Sequence, residues 1–147
     1  MARSEFTFSY PFRVRYSEID AQKLVFNAHY LTYFDTATNE YWAALGIAYP
    51  QDLEALGTDF HIVKATVEFR RPLLYGSDFV VAMRIARIGR TSTTTLYELH
   101  PPEGDDPYAT GESIHVYADQ ASGRPEPVPA WLRAGIRAYE GDRLVEG

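Results

Sequence analysis

The chain has 147 residues, enough for one domain of ordinary size, and 46% of them are hydrophobic, enough for one packed core. A formal net charge of −6 argues against nucleic-acid or anionic-membrane partners, because both need a basic surface. With no cysteine, disulfides, thiolate metal sites and a cysteine nucleophile are excluded.

The first ten residues, MARSEFTFSY, lack the apolar core of a signal peptide, and no segment reaches membrane-spanning length. A cytoplasmic location and a single domain over residues 1–147 are therefore expected. The four histidines, His29, His61, His100 and His115, show no close metal-ligand spacing. No G-x-S-x-G, G-x-G-x-x-G or phosphate-loop motif occurs.

In chain order, Phe6, Phe8, Tyr10, Phe12, Val14 and Tyr16 alternate with polar residues, which predicts a half-buried strand over 6–16. A polar loop, Ser17 to Lys23, follows. The period then becomes helical, with Tyr30, Tyr33, Phe34, Ala37, Tyr41, Ala44 and Leu45 on one stripe. Leu31, Thr38 and Trp42 widen that stripe. Asn27 is the expected N-cap and Gly46 the expected stop.

Alternation returns at Val63, Ala65, Val67 and Phe69, after a variable stretch over 47–58. Pro72 and Gly76 mark a turn before a strand carrying Phe79, Val81, Met83 and Ile85. Ile88-Gly89-Arg90 is a tight connection to Thr93, Thr95, Tyr97 and Leu99, a run of high strand preference. Tyr108 to Asp119 reads as the last strand and Trp131 to Tyr139 as a short amphipathic helix. The expected fold is α+β: one long buried helix against an antiparallel sheet of about five strands, the last four in meander order.

The junction Tyr16-Ser-Glu-Ile-Asp20-Ala-Gln-Lys-Leu-Val-Phe-Asn27-Ala-His29-Tyr30 is where chemistry is most readily built. A carboxylate at a strand end stands seven residues before a helix start, whose unpaired N–H groups carry the positive end of the dipole. Such N–H groups suit a developing oxyanion, and the carboxylate suits a base or nucleophile. Taken by spacing alone, the favoured reading of Asp20 and Asn27 is as turn and cap residues. Glu18 and the Asp35/Asn39 pair read as solvated, and His29 as a packing or pocket residue.

The run Val14-Arg-Tyr-Ser-Glu-Ile-Asp20, then Val25-Phe-Asn27-Ala-His-Tyr30 through Asp35, resembles the 4-hydroxybenzoyl-CoA thioesterase family. Phe69-Arg-Arg-Pro-Leu, Tyr75-Gly76 and Ile88-Gly-Arg-Thr-Ser92 follow that family's order, so the likeness spans roughly Phe6 to Arg137. The resemblance implies a hotdog fold, the long helix wrapped by a curved sheet, and hydrolysis of acyl- or aryl-CoA. It implies that Asp20 is the catalytic aspartate and that the Asn27 backbone N–H polarises the thioester carbonyl. It places Asp35 near the far end of the acyl group. His29 and Tyr30 become candidate substrate contacts, and Arg87 and Arg90 candidate contacts for the CoA phosphates. Lys23 stands where the family often has glycine. No metal or cofactor is implied. Homodimers or homotetramers with sites between subunits are expected. The rival readings are a non-catalytic acyl-CoA-binding module and a hotdog dehydratase, which needs an Asp/His pair.

Overall fold

A computed structural model describes residues 3–147; Met1 and Ala2, the first two residues of the expected domain, lie outside the described residues. The helix α1, His29–Ala44, lies against a sheet of β1 (Phe8–Arg13), β2 (Thr58–Phe69), β3 (Asp78–Ile88), β4 (Ser92–His100) and β5 (Ala109–Asp119). A short α2 (Gln51–Glu54), α3 (Ala130–Glu140) and a two-residue β6 (Val145–Glu146) complete the chain. This is a hotdog fold of the α+β class, as the resemblance implied.

The strand order corrects the expected meander. It runs β1-β3-β4-β5-β2, so only β3, β4 and β5 follow one another, while β2 crosses to the far edge and pairs with β5. β6, which the sequence does not announce, adds a parallel rung to β3 at Arg87↔Val145. As an edge strand β2 is largely uncovered. Val63, the first apolar residue of the alternating run, is 62% exposed, Ile62 is 57% exposed, and a bulge interrupts the pairing between Ile62 and Lys64.

α1 buries Tyr30, Tyr33, Phe34, Ala37, Thr38, Tyr41 and Trp42, whereas Leu31 and Ala44 stay exposed. From α1, Phe34 reaches across to stack on Tyr97 of β4, ring centroids 4.3 Å apart and nearly parallel. Gly111 on β5 makes this possible, because a Cβ there would overlap the Phe34 ring. Polar closure follows. Thr38 Oγ1 sits 2.7 Å from Tyr97 Oη, which also accepts a bond from Ser113 Oγ at 3.2 Å. Tyr97, Leu99, Met83, Ile85 and Val81 complete the core beneath the helix.

β1 is shorter than its alternation suggests. After Val14 the chain turns, because Glu18 reaches back and accepts the Arg15 N–H at 2.8 Å. Tyr16–Glu18 therefore folds as a 3-10 turn, and Tyr16 is left 77% exposed.

Candidate active site

Asp20 is held by its own loop. The Asp20 N–H donates to Leu24 O, the Lys23 N–H returns to Asp20 O, both at 2.9 Å, and Asp20 Oδ1 accepts the Gln22 N–H at 2.8 Å. This side-chain-to-backbone closure is what aspartate does well in turns. Isolated bridges Ile19↔Val25 and Leu24↔Leu74 tie the loop to the body. Lys23 adopts φ 63°, the left-handed conformation that glycine takes without penalty. Its departure from the family's glycine thus falls where the backbone needs one.

Glu18 corrects an expectation. It is 6% exposed rather than solvated, and its second oxygen accepts from the Arg15 guanidinium at 3.2 Å. Burial works to raise its pKa, but the Arg15 N–H, the facing Tyr33 hydroxyl and the Arg15 guanidinium together hold it below the usual carboxylate range. Burial, then the Glu18 charge, push the Tyr33 phenol upward, so it keeps its proton. Glu18 therefore anchors the turn that delivers Asp20.

Asn27 is not the N-cap. That position is Ala28, and no side chain caps α1. The helix end is consequently open: among the described residues neither the Asn27 nor the Ala28 N–H donates a hydrogen bond, and both residues are exposed. Asn27 and Tyr30 line a groove of about 310 Å³ with Phe69, Arg70 and Arg71. Tyr30 is 4% exposed and meets Phe69 edge-on at 4.9 Å, and burial raises its pKa. His29 is half-buried and edge-on to Phe26. Asp20 lines a different, wider groove with Tyr16, Lys23 and Tyr75.

Asp35 and Asn39 are exposed on α1, but not simply solvated. They stand at the mouth of a cavity of about 240 Å³ that runs between α1 and the sheet. Trp42 and Phe60 form one wall, stacked with centroids 5.6 Å apart; Met83, Ile85, Thr93 and Thr95 line the depth, and His61 and Ile62 of the edge strand border it. His115 also faces this space. Burial lowers its pKa while Asp35 and Asp59 pull the other way, so the ring is held toward neutrality. Sequence reasoning missed His115, since one histidine in a strand carries no motif.

Arg87 and Arg90 are exposed at the opposite end of β3 from the Asp20 loop. Arg13 pairs with Asp78 at the start of that strand, and Arg87 lies nine residues on. At ~3.3 Å per residue the separation within one chain is about 30 Å. The Arg87 guanidinium lies against Gly147, and the Arg90 carbonyl accepts the Val128 N–H. Within one chain the Asp20 loop and the two arginines therefore lie far apart, and Asp20 and Asp35 line separate spaces. Among the described residues no group of three or more His, Cys, Asp or Glu is placed to hold a metal ion. No helix among them is long and apolar enough to cross a membrane.

Comparison with known proteins agrees with this fold. A Bacillus subtilis (strain 168) protein provisionally named acyl-CoA thioesterase YneP is 29% identical over 129 residues, covering 85% of this chain and 92% of that one. The 1,4-dihydroxy-2-naphthoyl-CoA hydrolase of Thermosynechococcus vestitus is 27% identical, with 82% and 85% covered. The crystal structure of a thioesterase from Thermus thermophilus, complexed with coenzyme A and Zn, superposes with a TM-score of 0.79 at 28% identity, over 93% of this chain and 96% of that one. The profile of the thioesterase-like superfamily matches residues 14–136, and the chain belongs to that superfamily.

Proposed function

We propose that this thioester hydrolase cleaves acyl-CoA or aryl-CoA to the free acid and CoA, with Asp20 as the carboxylate that activates water or attacks the carbonyl. The observation that carries the reading is a carboxylate fixed by its own turn, in the loop that leads into a helix end with two free N–H groups. A thioester carbonyl has little charge in the ground state and a full oxyanion at the tetrahedral stage. Donors that already point outward stabilise that change without reorganising, a contribution of about 3–4 kcal/mol for one such donor. The names of the relatives and the CoA bound to a similar structure support a CoA thioester as substrate.

The working unit in this reading is a dimer built on β2. A 12-residue edge strand with exposed Ile62, Val63 and Phe69 presents unpaired backbone and apolar surface together, which soluble proteins normally cover. Pairing there brings a second chain to the cavity mouth, which His61 and Ile62 border. The Asp20 of one subunit then serves a cavity of the other, and the arginines at the far end of β3 become available to the partner's ligand.

Thiol release from a panel of acyl-CoAs tests the function. Wild type should turn over, and Asp20→Asn should fall by at least ~10²-fold while still binding CoA. A folded Asp20→Asn protein with near-normal turnover would remove Asp20 from the chemistry. Tight CoA binding with no thiol release by wild type would make the chain a binding module instead.

A further inference from the structure

The cavity beneath Asp35 has a chemistry that the proposed hydrolysis does not use. Its walls are aromatic and aliphatic, from Trp42, Phe60, Met83 and Ile85, but its polar groups converge from three elements: Asp35 and Asn39 from α1, Thr95 from β4 and His115 from β5. A pocket that only solvated an alkyl chain would have no need of this set.

His115 is the informative member. Its ring packs edge-on to Phe60, and Nδ1 lies a long 3.5 Å from Ser113 Oγ, with the Asp35 and Asp59 carboxylates near enough to act on its charge. Among the described residues Nε2 has no hydrogen-bond partner, although burial holds the ring toward its neutral form. A neutral imidazole can donate or accept through that nitrogen, depending on the tautomer. His115 is half-buried at the edge of the cavity, so water satisfies Nε2 in the free protein, and a ligand that displaces this water must supply a hydroxyl or carbonyl in its place.

We infer that His115 is a specificity-determining residue, selecting acyl groups that carry a hydroxyl or oxo substituent over plain hydrocarbon acyl groups of the same size. The inference rests on the reading that this cavity receives the acyl group of a CoA thioester. Its volume sets the scale. An apolar cavity of about 150 Å³ accommodates benzene, so a space of about 240 Å³ has room for one substituted ring or a short chain. Within that size the Trp42–Phe60 wall supplies flat contact, and the free imidazole nitrogen supplies discrimination. Sites built to bond a substrate hydroxyl reject the analogue lacking it far more strongly than apolar pockets discriminate a methylene.

The test uses matched pairs: phenylacetyl-CoA against 4-hydroxyphenylacetyl-CoA, and hexanoyl-CoA against 6-hydroxyhexanoyl-CoA. Wild type should favour the hydroxylated member of at least one pair by roughly 10-fold or more in kcat/KM. His115→Phe should bring that ratio close to one, and His115→Gln, which keeps a donor and an acceptor, should retain part of it. Thermal unfolding of both variants guards against a simple loss of fold. A wild-type ratio near one on both pairs overturns the inference, as does a His115→Phe variant that lowers both members equally. Should wild type cleave no thioester, the proposed function falls by itself. Calorimetric binding of 4-hydroxyphenylacetate against phenylacetate then decides the cavity's preference separately, equal affinities counting against it.

Discussion

The Tyr41 hydroxyl donates to Glu140 Oε2 at 2.6 Å, and the same oxygen accepts the Ile85 N–H at 3.0 Å. One carboxylate thus joins the last turn of α1 to the end of α3 and to β3 beside its bulge, between Ile85 and Arg87, where the strand's own pairing slips. Burial raises the Glu140 pKa, outweighing the two hydrogen bonds and the positive charges of Arg84 and Arg143. A carboxyl group whose folded pKa is raised binds more protons folded than unfolded, so its contribution to stability falls as pH rises from the unfolded pKa through the folded one. Glu140→Gln keeps an acceptor for both donors without the buried charge. It should raise the melting temperature near pH 8 and change it little near pH 4. Glu140→Leu strands both donors and should cost about 1–3 kcal/mol at either pH. Denaturation at the two pH values checks both outcomes; a Gln variant that is less stable at pH 8 would show that the charge itself is needed.

Lys23 is a non-glycine residue in the left-handed region, a conformation costing roughly 1–2 kcal/mol for a residue with a Cβ. Glycine there removes that strain but loosens the unfolded chain by ~0.5–1 kcal/mol. Lys23→Gly should therefore stabilise the protein slightly, by up to about 1 kcal/mol, and leave turnover intact. Lost turnover in an equally stable variant would mean that the Lys23 side chain, on the rim of the Asp20 groove, contacts substrate.

Because Asn27 makes no cap bond, Asn27→Ala should change stability by less than ~0.5 kcal/mol, not the ~1 kcal/mol of a true cap, and should leave most activity. Asn27→Pro deletes the backbone donor and should abolish turnover. The pair is read with circular dichroism beside the kinetics. Equal loss of activity in two folded variants would assign the role to the side chain.

Which parts of this molecule could be read from the chain depends on how local their causes are. Period-two and period-3.6 patterns record burial on one face, so α1, β3, β4 and β5 were legible to within a few residues. Val63, Ala65, Val67 and Phe69 carry the same alternation, yet they lie on an edge; which strand lies beside β2 is decided by a crossover that no local pattern encodes. Glu18 looked solvated because its burial depends on a turn closed by its own carboxylate. His115 meets Phe60 from β2 and shares a cavity with Asp35 from α1, so its surroundings come from far along the chain. Asp20 stood out through family likeness and not through spacing.

The division of labour between Asp20 and the cavity is testable by mixing chains. Asp20 and Asp35 line separate spaces in one subunit, and the proposed site draws one from each. Asp20→Asn removes the carboxylate but leaves the cavity open. Asn39→Trp leaves Asp20 and places a bulky ring at the cavity mouth, on an exposed helical position that tolerates it. Each homodimer should be inactive. In a heterodimer purified through two different tags, one site combines both defects, and the other combines the intact Asp20 of the second chain with the open cavity of the first. Such a heterodimer should recover about half of wild-type activity, because a two-fold assembly has two equivalent sites and one is whole. A site contained within a single subunit would give two defective sites and no recovery. Charging the edge, as in Val63→Asp, should yield monomers with neither activity nor complementation, since the pairing that shares the site is lost. Sedimentation of that variant beside its kinetics links the two losses; an active monomer would refute the shared site outright.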